Sequence, residues 1–313
     1  VSRLKRFFVC GVLGFRSAAP TMGEEEDDSP PGGEREWRFR GGNLVVHSYE
    51  DFVAAAIGGV ITQASVELTR FVAEAAPDGF WQRKSCVELG AGCGLVSGAL
   101  MQLGAKVVAT EQEAFCDHLS WNLKLNTSAN VVTDARCEPI DWGDEASLAR
   151  LRSTLDGGRG ADAVVAANCV YDRAAVAPFL AAVTAASGPD AAVFMCGIPV
   201  PPSTADAGSG TILDAFLEAA PKNFDCYFLP ERWDEKEAAV ADPVERSAAG
   251  SKESDVAPDV SSISVSLAAR HGLSVGALAD GIWLLLQPGA ALPLWVRPLL
   301  RLERSTLPVD GTT

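Results

Sequence analysis

Histidine is scarce in this chain, with only His47, His118 and His271 among 313 residues. None stands beside a Gly-x-Ser-x-Gly elbow or in a His-x-x-His pair, which removes the usual sequence grounds for triad hydrolysis or a helical zinc site. Basic residues are also few, because 26 Lys and Arg against 41 Asp and Glu leave a formal net charge of −15. Nothing here marks a phosphate-backbone binder, so nucleic acid is not expected as a partner and a basic protein segment suits the surface better. The eight cysteines include no CxxC pair and no adjacent histidine, so no metal is expected and a reducing compartment is the simpler home. No stretch approaches the roughly 20 apolar residues of a bilayer span, so no membrane is expected.

What is present is ordinary for a globular protein, 48% hydrophobic and 21% charged, which excludes disorder of the whole chain. Residues 1–20 carry Arg3, Lys5, Arg6 and Arg16 but no acid, around the apolar stretch Phe7 to Phe15. Met22 then opens the acidic run Glu24 to Asp28. Residues 1–36 read as a disordered or non-native leader, and 1–21 are expected to lie outside the working protein. A cytoplasmic monomer is expected, with an organellar address in residues 1–21 as the alternative. Trp37 to His47 suggests a strand or hairpin. Asp51 to Ala76 has helical spacing that stops at Pro77, so 37–84 is taken as an N-terminal strand and helix segment.

From Ser85 onward, short β-type runs alternate with helical ones, the pattern of a doubly wound α/β fold with a mostly parallel seven-stranded sheet, Rossmann-like in kind. The strands are expected at Ser85–Leu89, Lys106–Thr110, Asn130–Thr133, Asp162–Ala167, Ala191–Gly197, Asn223–Leu229 and Gly281–Gln287. Helices are expected at Leu95–Leu103, Glu113–Asn126, Glu145–Leu155, Ala174–Ala186 and Thr211–Ala219, with none between the last two strands. The core would run over 85–234, with a disordered insertion at 235–260, the last strand region at 261–290 and a tail at 291–313. Pro293 to Arg304 in that tail is expected to pack on the sheet.

The strongest motif is Val87-Glu88-Leu89-Gly90-Ala91-Gly92-Cys93-Gly94-Leu95, a strand running through three alternate glycines into a helix. Residues without Cβ let backbone amides and a helix N-terminus approach a nucleotide-like ligand. A dinucleotide site would want its third small residue at position 95, where Leu95 stands, so the spacing favours a methyl donor over NAD. Thr110-Glu111 puts a carboxylate at the end of the next strand, where it could accept bonds from both ribose hydroxyls. Ile140-Asp141-Trp142-Gly143-Asp144 offers an indole that could stack on a base or plug the core.

Together with Ala167-Asn168-Cys169-Val170-Tyr171-Asp172, these motifs resemble the seven-β-strand (class I) protein-lysine methyltransferases, the type that modifies chaperones and elongation factors, over residues 55–200. The resemblance implies S-adenosyl-L-methionine as donor and a chaperone or translation factor as protein substrate. It also implies that Gly90, Ala91, Gly92 and Gly94 wrap the methionine part, Glu111 holds the ribose, Trp142 and Ala167 flank the adenine, and Glu88 supports the loop or the donor's amino group. Two positions depart from the family. Asn168 replaces the acid that usually precedes two apolar residues and an aromatic, and Thr62, in Gly59-Val60-Ile61-Thr62, stands where a Trp normally touches the donor.

Methyl transfer to lysine needs alignment, desolvation and a neutral amine. On this reading Asn168 orients the amine through its carbonyl oxygen and Tyr171 lines the lysine channel, with helix capping by Asn168 as the structural alternative. Two other functions remain open: a weak or non-catalytic donor-binding module, suggested by Thr62 and Asn168, and a base-amino methyltransferase, suggested by Asn-x-x-Tyr.

Overall fold

In a computed structural model, residues 32–51, 58–127, 135–198, 211–229 and 275–300 are described, together with 267, 268, 270 and 273. The strand expected at 130–133, the insertion at 235–260, the acidic leader up to residue 31 and His271 lie outside them. Strands β1 (Gly32–Phe39) and β2 (Leu44–Asp51) form an antiparallel hairpin. Burial alternates along β2, with Leu44, Val46, Ser48 and Glu50 inside, as a strand with one covered face requires. Residues 32–36, expected to be mobile, are therefore strand, because β2 supplies partners from Asp51 back to His47.

Asp51 closes β2 instead of opening a helix. The helix that follows, α1 (Gln63–Glu74), starts after Thr62, whose hydroxyl accepts the Ser65 N–H at 3.2 Å. Thr, Ser, Asp and Asn are the residues that do this, since they satisfy an amide the helix leaves open.

The main sheet has the order β5-β4-β3-β6-β7-β9-β8, with β3 (Ser85–Leu89), β4 (Lys106–Glu111), β5 (Arg136–Pro139), β6 (Ala161–Ala167), β7 (Ser187–Cys196), β8 (Asp225–Leu229) and β9 (Ile282–Leu286). The pairs β3–β4, β3–β6, β4–β5 and β6–β7 are parallel, and β9 runs against both β7 and β8. Helices α2 (Leu95–Gln102), α3 (Cys116–Leu125), α4 (Glu145–Thr154), α5 (Val176–Ala186) and α6 (Ile212–Ala219) link the strands. A short helix, Val275–Asp280, precedes β9, so the last two strands do have helix between them; Gly276 inside it weakens the sequence signal.

Alternate residues of the sheet face opposite cores. Val87, Leu89 and Val108 meet Leu151, Phe179 and Phe216, whereas Cys86, Val107 and Ala109 meet Phe71, Val96 and Leu119. Helices thus cover both faces, the doubly wound arrangement. β5 is a charged edge strand ending in Pro139, tolerable only at an edge, where a missing ladder donor costs little. Trp295 of the tail packs on Phe71, Phe80 and Phe194, with ring centroids 5.5, 5.3 and 5.9 Å away. Among the described residues no helix is long and apolar enough to cross a membrane.

Strand order reverses between β3 and β6. In such sheets ligands bind in the crevice at the carboxyl ends of the strands beside that reversal.

Candidate functional site

At that edge lies a cavity of about 760 Å³, bordered by the segments after β3, β4, β5 and β6 and by residues 58–65. The glycine loop forms its floor. Gly90 and Gly92 have φ of 65° and 53°, the left-handed region that side chains disfavour. A Cβ on Gly90 would lie 2.7 Å from the Cys169 Cβ and 3.4 Å from the Trp142 ring, and one on Gly92 would lie 3.2 Å from the Gly58 carbonyl oxygen. The missing side chains are what let three separate segments close around the cavity.

The ends of β3 and β4 are tied together. Glu111 Oε2 accepts the Gly92 N–H at 2.9 Å, and its Oε1 accepts the Gln112 N–H, also at 2.9 Å. Buried Thr110 donates its hydroxyl to the Glu88 carbonyl at 2.8 Å and accepts the Ala91 N–H at 2.9 Å. An ionised carboxylate has about four acceptor sites. Among the described residues two of those on Glu111, which borders the cavity, are left without a donor.

Glu88 does something different. Only 2% exposed, it accepts the Ser97 N–H at 2.8 Å and a short bond from the Ser97 hydroxyl. Ser97 is the third residue of α2, whose cap is Gly94. Glu88 therefore supplies from a neighbouring strand the N-terminal acceptor that glycine cannot. Burial, reinforced by the charge of Glu111 and opposed by the Ser97 bonds, pushes its carboxyl up to about 7.

Of the residues singled out from sequence, Thr62, Gly90, Ala91, Gly92, Glu111, Trp142, Ala167 and Tyr171 border the cavity; Glu88, Gly94 and Asn168 do not. Gly94 is instead pressed against Leu119, 2.7 Å from where its Cβ would be. Asn168 has φ of 47° and donates its backbone N–H to the Cys196 carbonyl at 2.8 Å. Asn tolerates that conformation better than most residues. The cap of the following helical turn is Asp172, not Asn168.

Trp142 meets Phe179 edge-on at 5.4 Å and presents its ring to the cavity. Tyr171, 45% exposed, stands at the mouth. Burial first, with Cys169 and the Glu111 charge nearby adding to it, raises its phenol, so it is a neutral hydroxyl. Cys169 borders the cavity beside Gly90, and burial raises its thiol as well. Sequence reasoning missed Val60, Ile61 and Cys169, which sit in irregular segments without a periodic signal, and Phe115, which ends a single 3-10 turn after β4. Only the position of Phe115, four residues past Glu111, offered a hint.

The sequence profile of a family described as lysine methyltransferase matches residues 43–198. Over that stretch, just under half of its length, this chain is similar to that family. The match starts in the hairpin turn before β2 and ends two residues past β7, taking in the cavity and a longer N-terminal portion than the motifs alone mark out. Among similar proteins of this lysine methyltransferase type, the mouse (Mus musculus) protein-lysine methyltransferase METTL21E is 32% identical over 88 residues, 28% of this chain and 34% of that protein. The mouse protein N-lysine methyltransferase METTL21A is 28% identical over 105 residues, 34% of this chain and 47% of that protein. The chain thus spans less than half the length of either relative. Among solved structures, a T. thermophilus 16S rRNA methyltransferase in complex with AdoMet and guanosine gives a TM-score of 0.39 at 19% identity, covering 54% of this chain and 42% of that one. Magnesium protoporphyrin IX methyltransferase from Synechocystis with bound SAM gives 0.37 at 16% identity, covering 53% and 72%. Among the described residues, no group of three or more His, Cys, Asp or Glu could hold a metal.

Proposed function

We propose that the protein transfers a methyl group from S-adenosyl-L-methionine to a lysine side-chain amine of another protein. The observation that carries this reading is the Glu111 carboxylate, held by the Gly92 N–H at 2.9 Å with two acceptor sites left without a donor among the described residues, on the wall of a cavity of ligand-binding size. The residues present fit the donor. Glu111 would take the ribose hydroxyls, the backbone of Gly90 to Gly92 the methionine portion, and Trp142 with Ala167 the adenine. Bound there, the donor supplies a sulfonium methyl group open to attack by an amine.

The chain's own part is alignment and drying. Ile61, Cys169 and Pro178 give the cavity apolar wall, where a lysine ammonium loses hydration and its pKa falls. Tyr171 can hold the nitrogen through its neutral hydroxyl, and the proton leaves to water at the open mouth. Asn168 does not border this path, so its replacement of the family's acid removes no group from the cavity wall.

The acceptor is taken to be a chaperone or translation factor in the cytoplasm. The net charge of −15 suits a lysine-rich target, and the free thiols of the described residues suit a reducing compartment.

Two measurements test the proposal. Calorimetry with S-adenosylhomocysteine should show binding, and its absence would sink the donor assignment. Labelled donor added to cell extract should then put label into material removed by protease; label removed by nuclease would mean a nucleic-acid acceptor instead.

A further inference from the structure

Glu50 lies at the end of β2, 2% exposed, and takes no part in the chemistry proposed above. Its Oε1 accepts the N–H of Ile61 at 2.8 Å, and its Oε2 pairs with Arg35 Nε of β1 at 2.9 Å. The next residue adds a second link, because Asp51 donates its N–H to the Gly59 carbonyl at 3.0 Å. The hairpin thus grips residues 59 and 61 from one short stretch of strand.

Those residues belong to the cavity. Gly58, Val60, Ile61 and Thr62 form one wall, and the Gly58 carbonyl oxygen approaches the glycine loop, accepting from the Cys93 thiol at 3.6 Å. Between β2 and the cap of α1 at Thr62, the described residues 58–61 have no helix or strand of their own. Their position against Gly92 must be set from outside. A buried carboxylate does this well, since a charge-assisted bond to N–H is stronger than a neutral one, while the Arg35 guanidinium offsets the cost of burying the charge. The Cys93 thiol, on the loop, is pushed up to about 12 by burial first and by the charge of Glu50 next.

We propose that Glu50 is a positioning residue for the donor cavity, fixing the wall of residues 58–62 against the glycine loop by accepting the Ile61 N–H, with Arg35 as its counter-ion. This rests on the donor-binding reading. It assigns the hairpin a part in holding the donor, although the hairpin itself does not border the cavity.

The test uses the full chain, S-adenosylhomocysteine as the calorimetric probe and amide exchange as a second readout. Glu50→Leu keeps the side chain's bulk but removes the acceptor, and should weaken binding by about tenfold, with faster exchange at residues 58–62 and unchanged exchange in β3. Glu50→Gln keeps an oxygen for Ile61, and Arg35 can turn to solvent, so binding should stay within about threefold of wild type. A folded Glu50→Leu protein that binds like wild type, or a Glu50→Gln protein as weak as the leucine variant, overturns the proposal. Should Glu50→Leu fail to fold, the wild-type Ile61 amide decides: slow exchange supports the clamp, and exchange as fast as an open loop overturns it. If wild type binds no probe at all, the donor reading fails, and the Ile61 amide still reports whether Glu50 holds this segment.

Discussion

The Glu111 carboxylate and the Gly92 amide are hydrogen-bonded at 2.9 Å, so the acid that faces the cavity also sets the shape of the loop beneath it. Ligand recognition and loop geometry share one side chain. Changing it should be felt in binding far more than in folding, because its other partner is the adjacent Gln112 N–H.

Glu111→Gln leaves one side-chain oxygen where there were two and removes the charge. Affinity for S-adenosylhomocysteine should fall by about 30-fold, the worth of roughly 2 kcal/mol from a charged hydrogen bond. The thermal midpoint should move by only a few degrees, roughly what 1 kcal/mol or less gives in a domain of this size. An unchanged dissociation constant would remove Glu111 from the site.

Gly90→Ala adds a Cβ 2.7 Å from that of Cys169 at a φ of 65°. Gly289→Ala is a control for backbone cost alone, since its φ is 84° and nothing lies within 4 Å of the new atom. Urea denaturation should show Gly90→Ala destabilised beyond Gly289→Ala by at least about 1 kcal/mol. Equal losses would mean that the Cys169 contact relaxes freely.

Glu88 makes stability depend on pH. Desolvation lifts its carboxyl from the ordinary 4.5 to about 7, so between those values the folded protein keeps a proton that the unfolded chain has released. This contribution is fully present below 4.5 and is lost as pH rises through about 7. Glu88→Gln should flatten that part of the profile and be no less stable than wild type at about pH 8. A profile with the same slope in both proteins would show that the carboxylate is buried without penalty.

Asn168 is placed by its backbone. Asn168→Gly should match or slightly exceed wild-type stability, whereas Asn168→Val should lose about 1–3 kcal/mol by forcing a branched residue to a φ of 47°. Asn168→Asp should leave S-adenosylhomocysteine binding within about twofold, since the side chain is off the cavity wall. Thermal melts and calorimetry check both, and a large affinity change in the aspartate variant would return position 168 to the site.

The parts legible in the sequence are those whose cause is local. β3 and β4 are short apolar runs, the glycine loop announces a turn, and Glu111 follows directly on its strand. β5 is not legible in the sequence, because Arg136, Cys137, Glu138 and Pro139 are only partly buried and show no hydrophobic run. The service of Glu88 to α2 was hidden because it joins residues nine apart across a turn. The grip of Glu50 on Ile61 was hidden because residues 52–57, between strand and wall, read as the start of a helix.

The hairpin is held in one further way. Asn126 accepts the His47 N–H at 2.8 Å and donates to the His47 carbonyl at 2.7 Å, and Asn122 exchanges the same pair of bonds with Tyr49. Asp51, two residues on, gives its N–H to Gly59. Two side-chain amides one helical turn apart, Asn122 on α3 and Asn126 at its C-terminal cap, thus imitate an adjoining strand along the edge of β2 that faces away from β1. The backbone groups of His47 and Tyr49 on that edge are already taken, so these two residues have nothing to offer a foreign strand. A sideways slip of the hairpin by one residue would break all five bonds together, and the fold therefore carries its own register lock for the strand that carries Glu50.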